Sequence, residues 1–159
     1  MPFRICFVCL GNICRSPIAE VVMRSLLDER GLSDRVQVSS AGTGDWHIGE
    51  RADRRTLAVL QRHGYDGSAH RARQFVADSF DDCDLVVAMD QANVDTLRRM
   101  VDADDAAKVR FLREFDPDAT GTDVPDPYYG GDDSFDEVLA MVEAACRGLL
   151  DQLAIDVET

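Results

Sequence analysis

The sequence contains no uninterrupted apolar run of about 18 residues, which is the length that a membrane-spanning helix needs. Residues 1–10 also lack the length and the small-residue cleavage site of a secretory signal peptide. Basic side chains are scarce, because 17 Lys and Arg stand against 30 Asp and Glu and leave a net charge of −13. A nucleic-acid-binding protein needs a basic face. We therefore expect a cytoplasmic protein with no membrane or nucleic-acid partner.

Cysteine occurs five times, but without the pattern of a disulfide-rich or zinc-binding protein. The count is odd, and no two close pairs have the spacing of a structural zinc site, so we expect free thiols and no bound metal. Cys6 lies within an apolar strand segment, and Cys146 lies on an apolar helical stripe. Both are predicted to be core residues.

The length of 159 residues and the apolar content of 45% fit one globular domain, residues 1–159. Short strands of the buried type alternate with amphipathic helices, which predicts an α/β three-layer sandwich on a parallel sheet. Ligands of such sheets bind beyond the carboxyl ends of the strands. The predicted strands are 3–8, 36–42, 85–88 and 109–112, and helices are predicted to begin at Ser16, Asp53, Asp90 and Ser134.

The acidic residues are concentrated in one half of the chain, because 22 of the 30 lie after residue 75. The first 75 residues carry 11 arginines against 8 acidic residues. Acidic residues that crowd one half usually form a solvated face. The arginine-rich half is therefore the place to look for an anion site.

The turn between the first strand and the first helix has the residue types of an anion-binding loop. Successive backbone N–H groups and the positive end of a helix can together hold an anion there. Gly11 and Asn12 tolerate the left-handed backbone that such a loop needs, and Arg15 can donate two parallel hydrogen bonds to phosphate oxygens. Cys9 ends the strand, where these groups would stabilise a thiolate. The pattern predicts a nucleophilic sulfur beneath a site for a tetrahedral dianion.

The whole chain resembles the low molecular weight protein tyrosine phosphatases. Residues 8–17, VCLGNICRSP, resemble the phosphate loop of that family, and residues 126–129, DPYY, resemble its second motif. The resemblance implies a flavodoxin-like fold with four parallel strands and a cytosolic phosphomonoesterase that uses no cofactor. Further similar positions are Ser39 to Thr43, Trp46, His63, Gly64, His70 and Ala72 to Gln74.

The resemblance also implies a role for individual residues. Cys9 would be the nucleophile, Arg15 and the loop amides would bind phosphate, and Asp126 would be the general acid and base. Judged from the residues alone, Asp126 is one of many surface acids. The loop and its supports would be Leu10, Gly11, Asn12, Ile13, Cys14, Ser16 and His70.

Each supporting residue also has a simpler interpretation. Asn12 would shape the loop with His70 bonded to it, or it is only a turn residue beside a surface histidine. Ser16 would donate its hydroxyl to the Cys9 sulfur, or it caps the helix. Cys14 would form a disulfide with an oxidised Cys9, or it packs as a small buried residue.

Aromatic residues would set the specificity of the pocket. Ile13, Trp46, Tyr128 and Tyr129 are expected to form its walls, and a deep slot between apolar planes suits a phenyl ring. Phosphotyrosine-containing proteins would be the partners and inorganic phosphate the product. Tyr128 and Tyr129 could themselves be substrates of a tyrosine kinase.

Three other functions share this scaffold or this loop. An arsenate reductase needs a further cysteine pair near the third strand, where the sequence places Cys83 alone. A phosphoarginine phosphatase is less compatible with the bulky Ile13. A catalytically inactive phosphotyrosine-binding module would not need Cys9, Arg15 and Asp126 together.

Overall fold

A computed structural model describes residues 2–158, with the side chains described as far as residue 153. The strands and helices are, in chain order, β1 (Phe3–Cys9), α1 (Arg15–Glu29), β2 (Val36–Gly42), α2 (Arg54–Arg62), β3 (Leu85–Ala88), α3 (Gln91–Arg99), α4 (Ala103–Ala106), β4 (Val109–Phe111) and α5 (Asp132–Glu158). Short 3₁₀ helices cover Ala77–Asp82 and Leu112–Phe115. Within this described part of the chain, no helix combines the length and the apolarity that crossing a membrane requires.

All four strands are parallel and lie in the order β2-β1-β3-β4. The chain therefore moves outward from β1 to β2 and then returns to place β3 on the other side of β1. The crevice of such a sheet opens where the strand order reverses, at the carboxyl ends of β1 and β3. The loop after β1 occupies that position, and β1 pairs Cys9 with Gly42 of β2 beside it.

The side chains of β1 alternate between two apolar clusters, one on each face of the sheet. Ile5 and Phe7 pack with the buried faces of α1, α2 and α5. Cys6 and Val8 pack on the other face with α3 and the 3₁₀ segment that contains Phe80. The predicted three-layer α/β fold with a four-stranded parallel sheet is confirmed, and Cys6 and Cys146 are core residues as expected.

The starts of α2 and α3 follow the prediction, whereas those of α1 and α5 do not. Asp53 and Asp90 cap α2 and α3, because their carboxylates accept hydrogen bonds from the backbone N–H groups of Arg55 and Asn93. The prediction that Ser16 caps α1 is wrong: the helix already begins at Arg15, without a side-chain cap.

The last helix begins two residues before the predicted Ser134, at Asp132. Asp132 and Asp133 lie in its first turn, where carboxylates interact favourably with the helix dipole. The fourth strand is one residue shorter than predicted, because the chain enters a 3₁₀ helix at Leu112.

Candidate active site

The loop after β1 is held close to the sheet by a residue with unusual backbone geometry. Asn12 has φ 57°, the one positive φ of a non-glycine residue in the described chain, and it is fully buried. Gly11, which was expected to share this geometry, does not have a positive φ. Asparagine adopts a left-handed conformation more readily than most residues, because its short polar side chain can hydrogen-bond locally.

Hydrogen bonds surround Asn12 on every side. Its amide nitrogen donates to Ser16 Oγ at 2.8 Å and to Ser40 Oγ at 3.0 Å. Its amide oxygen accepts from the backbone N–H of Arg73 at 3.0 Å, and its backbone carbonyl accepts from His70 Nε2 at 2.7 Å. The structure thus places His70 against Asn12. Ser40 and Arg73 fall within the segments that resemble the family, but the sequence assigned them no role, and only the structure shows that both contact Asn12.

The Cys9 sulfur and the Ser16 hydroxyl meet at the base of this loop. Their Sγ and Oγ atoms are 2.9 Å apart, and both residues are buried. Because Asn12 donates to Ser16 Oγ, the hydroxyl proton stays available for the sulfur. The nearest competing acceptor of that proton, the carbonyl of Ala41, is 3.5 Å away. The arrangement offers a hydrogen-bond donor to a thiolate at Cys9.

Arg15 is the first residue of α1, and its guanidinium lies between two carboxylates. Nη1 donates to Asp90 Oδ2 at 2.6 Å and to the Val124 carbonyl at 3.0 Å, and Nη2 is 3.7 Å from Asp126 Oδ2. Burial disfavours the charge of Arg15, but Cys9, Asp90 and Asp126 outweigh it and raise the pKa of Arg15 above its ordinary value. The side chain is therefore a fixed cation beside the sulfur.

Asp90 is a site residue that the sequence did not reveal. It was expected only to begin α3, which it does. The signal that could have found it is its place directly after β3, since β3 lies beside β1 and the carboxyl ends of both strands face one crevice.

Asp126 reaches the site from a segment without regular structure, over a hundred residues after Cys9. The backbone N–H of Val124 donates to the carbonyl of Met89 at 2.7 Å and anchors this segment beside β3. Asp126 Oδ1 accepts from the backbone N–H of Tyr128 at 3.0 Å. The carboxyl remains 40% exposed, so it can exchange protons with water.

The nucleophile candidate and the acid candidate line one cavity of about 360 Å³. The apolar side chains around its mouth are exposed: Trp46 is 67% exposed, and Tyr128 and Tyr129 stack edge to face with ring centroids 4.9 Å apart. The cavity thus has a polar floor beneath aromatic walls. Its lining consists of Cys9, Leu10, Gly11, Ile13, Cys14, Arg15, Trp46, His47, Asp126, Tyr128 and Tyr129.

Two lining or supporting features were missed by sequence reasoning. His47 follows Trp46 and bonds to Glu50, which keeps its ring beside the loop. The carbonyl of Ile13 accepts from the backbone N–H of Asp53 and from Thr56 Oγ1, at 2.9 and 3.0 Å. The start of α2 therefore supports the far side of the loop.

The remaining thiols differ in their surroundings. Burial raises the pKa of Cys14 to about 12, so this thiol in the cavity lining stays protonated at neutral pH. Cys83 is the one cysteine near β3, as the sequence places it, but the fold brings it into one apolar cluster with Cys6 of β1. The neighbouring Cys83 side chain and burial raise the pKa of Cys6. The Cys6–Cys83 pair packs on the face of the sheet opposite to Cys9.

Among the described residues, no three His, Cys, Asp or Glu side chains are grouped to hold a metal ion.

Known proteins match the chain over almost its full length. The sequence profile of the low molecular weight phosphotyrosine protein phosphatases matches residues 4–159. A low molecular weight protein-tyrosine-phosphatase of Streptomyces coelicolor is 55% identical over 161 residues, 99% of this chain and 98% of that protein. Low molecular weight protein-tyrosine phosphatase A of Mycobacterium tuberculosis is 49% identical over 153 residues, 94% of this chain and 91% of that protein.

Solved structures of such enzymes have the same fold. A protein tyrosine phosphatase from Entamoeba histolytica, crystallised with Hepes in its active site, superposes with a TM-score of 0.93 at 36% identity. The match covers 97% of this chain and 98% of that chain. YfkJ from Bacillus subtilis also gives a TM-score of 0.93, at 37% identity, over 98% of this chain and 97% of that chain. The chain belongs to the low molecular weight protein tyrosine phosphatase family.

Proposed function

We propose that Cys9 is the nucleophile of this protein tyrosine phosphatase, with Arg15 and the loop amides as the phosphate site and Asp126 as general acid and base. The observation that carries the proposal is the contact of 2.9 Å between Cys9 Sγ and Ser16 Oγ at the floor of the cavity that Arg15 and Asp126 also line. A thiolate, a fixed cation and a proton donor around one space are what phosphoryl transfer to sulfur needs.

In the first step the Cys9 thiolate attacks phosphorus in line with the ester bond. The phosphorus–sulfur bond forms as the phosphorus–oxygen bond to the phenol breaks, and Asp126 gives its proton to the departing phenolate oxygen. Arg15 and the N–H groups of the loop follow the equatorial oxygens, where negative charge lies in the transition state. The product of this step is a cysteinyl-phosphate.

In the second step water attacks the cysteinyl-phosphate from the side that the phenol has left. Asp126, now a carboxylate, takes a proton from that water as the phosphorus–sulfur bond breaks. The departing thiolate of Cys9 receives a hydrogen bond from Ser16. Inorganic phosphate then leaves, and the enzyme returns to its starting state without a cofactor.

The shape of the cavity supports phosphotyrosine-containing proteins as substrates. Ile13 lies within the loop, and Trp46, Tyr128 and Tyr129 stand above the sulfur as apolar walls. An aryl group packs between such walls, whereas the shorter phosphoserine side chain leaves them uncovered. The supporting roles of Leu10, Gly11, Asn12, Cys14 and His70 belong to the same proposal.

The proposal also covers the domain and the compartment of the enzyme. One domain over residues 1–159 carries the activity, and the cytoplasm is its compartment, since a nucleophilic thiol needs reducing surroundings and all five cysteines are free.

Tyr128 and Tyr129 are proposed as sites of phosphorylation by a tyrosine kinase. Tyr129 is 93% exposed and Tyr128 39% exposed, so a tyrosine kinase can reach both. Phosphate there would repel the substrate dianion, and unchanged turnover after phosphorylation would contradict this regulatory role.

The test compares wild type with Cys9→Ser and Asp126→Ala on p-nitrophenyl phosphate, a phosphotyrosine peptide, phosphoarginine and arsenate. We expect hydrolysis of the two aryl phosphates by wild type, no turnover by Cys9→Ser, and a slow Asp126→Ala enzyme. Asp118→Ala removes an exposed carboxylate that does not line the cavity, so it is the matched control and should retain full activity. Activity in Cys9→Ser, or turnover of arsenate or phosphoarginine instead of aryl phosphates, would overturn the proposal.

A further inference from the structure

The segment that carries Asp126 needs a second anchor. Residues 125–130, here called the acid loop, have no regular secondary structure, and only Pro127 among them is buried. The loop is fixed at its start, because Val124 is bonded to Met89 and to Arg15. Nothing in that contact determines the direction of the chain after Pro127, where Tyr128 and Tyr129 form the cavity wall.

The guanidinium of Arg55, on the first turn of α2, provides that second anchor. Nη2 donates to the carbonyl of Tyr128 at 2.8 Å, and Nη1 donates to the carbonyl of Gly130 at 3.0 Å. One rigid fork therefore binds two carbonyl groups of the acid loop. The same guanidinium lies 5.5 Å from the centroid of the Tyr128 ring and 4.7 Å from that of Phe135, in the first turns of α5.

Arg55 is itself fixed by Asp53, the capping residue of α2. The Asp53 carboxylate accepts from Arg55 Nε at 3.1 Å and from Nη2 at 3.2 Å. The backbone N–H of Asp53 donates to the carbonyl of Ile13, inside the phosphate loop. Asp53 and Arg55 thus connect the phosphate loop to the acid loop in two residues.

The contacts of Tyr128 carry this connection to the carboxyl of Asp126. The backbone N–H of Tyr128 donates to Asp126 Oδ1, and its carbonyl accepts from Arg55. The backbone of this one residue is therefore held on both sides. The geometry points to Arg55 as a positioning residue: it aims the Asp126 carboxyl at the leaving-group oxygen by tying Tyr128 to the helix that supports the phosphate loop. This inference rests on the proposed role of Asp126 as proton donor.

Leaving groups of different basicity separate positioning of the acid from a purely structural role. Phenolate needs a proton as it departs, whereas p-nitrophenolate hardly does. A misplaced Asp126 should therefore lower kcat/KM for phenyl phosphate more than for p-nitrophenyl phosphate. The ratio that we compare is kcat/KM for p-nitrophenyl phosphate divided by kcat/KM for phenyl phosphate. We expect Arg55→Gln to increase this ratio by about tenfold, which is part of the roughly 100- to 10,000-fold that a general acid contributes. A loss of folded enzyme would lower both values equally.

Three further variants complete the experiment. Arg54→Gln removes the same charge from an exposed neighbour on the same helix and should leave the ratio unchanged. Arg55→Lys keeps the charge, but a single ammonium cannot span both carbonyls, so its ratio should lie between wild type and Arg55→Gln. Asp126→Asn should give the largest ratio, and adding Arg55→Gln to it should increase that ratio no further.

The outcomes separate the positioning role of Arg55 from the proposed role of Asp126 as the general acid. If Asp126→Asn shows no leaving-group effect, the role of Asp126 as the acid is wrong, and the inference is overturned with it. If Asp126→Asn shows the effect but Arg55→Gln and Arg55→Lys lower both substrates equally, only the positioning role is wrong. If Arg55→Gln does not fold, as judged by circular dichroism, the ratio for Arg55→Lys decides by the same criterion.

Discussion

A single residue at the loop after β1 can have more than one structural role, and its neighbours in the fold decide which role it takes. Ser16 stands where a helix cap is expected, yet its hydroxyl is buried against Cys9 Sγ and Asn12. Cys9, Arg15 and Asn12 could be selected from the sequence because a strand, a turn and a helix follow one another there. The orientation of Ser16 toward Cys9 was implied only by the family resemblance and not by the pattern along the chain, since it depends on the side chain of Asn12, which Ser40 also holds.

Replacement of Ser16 by alanine removes the hydroxyl that faces the sulfur. A hydrogen bond to a charged group contributes about 1.5–3 kcal/mol, so we expect kcat to fall roughly 10- to 150-fold. KM should change little, because Arg15 and the loop amides, not Ser16, form the proposed phosphate site. Steady-state kinetics on p-nitrophenyl phosphate measures the effect, with the exposed Ser68→Ala as the matched control. An unchanged kcat in Ser16→Ala would show that the contact has no part in catalysis.

At the level of elements, the order of the strands brings residues that are distant in the sequence, such as Asp90 and the loop after β1, to one site. The strands and the starts of α2 and α3 follow from buried apolar runs and capping residues. The role of Asp90 does not, because it requires β3 to lie beside β1, and a pattern along the chain contains no strand order. The support of Ile13 by the start of α2 is missing from the sequence for the same reason.

The end of β2 limits the space behind the phosphate loop. A Cβ atom on Gly42 would lie 2.7 Å from the carbonyl oxygen of Leu10 and 3.1 Å from the backbone nitrogen of Asn12. Gly42→Ala must therefore displace the loop, and a shift of about 1 Å in a catalytic group can cost roughly 100-fold. We expect a fall in kcat/KM of that order and a weaker inhibition by inorganic phosphate.

Gly121→Ala is the matched control for the loop experiment. Its added Cβ would meet Arg113 Nη1 at 3.6 Å, an ordinary contact. Wild-type inhibition by phosphate in Gly42→Ala would mean that the loop does not depend on β2 for its shape.

At the level of the whole molecule, the net charge of the chain does not reveal the local charge at the candidate site. The net charge of −13 led to the expectation that the protein does not bind nucleic acid. The same net charge gives no sign of the anion site proposed in the arginine-rich half of the chain. Local groups decide what binds, because the Arg15 guanidinium and the loop amides act at contact distance. The acidic half contributes Asp90 and Asp126 to the site, and only the folded structure distinguishes them from the solvated acids.

Buried thiols should make the folded protein less stable as the pH rises above neutrality. Burial raises the pKa of Cys14 to about 12 and raises that of Cys146 as well, whereas an unfolded thiol ionises near about 8.5. Above that pH the unfolded chain loses protons that the folded protein keeps. The free energy of unfolding should therefore fall by up to about 1.4 kcal/mol per pH unit for each such thiol between about 8.5 and 12.

Urea denaturation at pH 8.0 and at higher pH values up to about 10 measures this fall in stability. Cys146→Ala lacks one of the thiols, so its unfolding free energy should start lower at the first pH but decline less steeply. A wild-type stability that stays constant over this range, or an equal slope in Cys146→Ala, would contradict the account.

Passage of phosphate through the sulfur of Cys9 requires a covalent cysteinyl-phosphate, and trapping this intermediate shows which residue carries the phosphate. Asp126→Ala lacks the base of the second step, so p-nitrophenyl phosphate, whose leaving group needs little protonation, should make its cysteinyl-phosphate accumulate. Rapid acid quenching and tandem mass spectrometry can locate the phosphate among Cys6, Cys9 and Cys14, which share one tryptic peptide. We expect phosphate on Cys9 and none in Cys9→Ser. Phosphate on another residue, or turnover without a phosphoenzyme, would contradict this expectation.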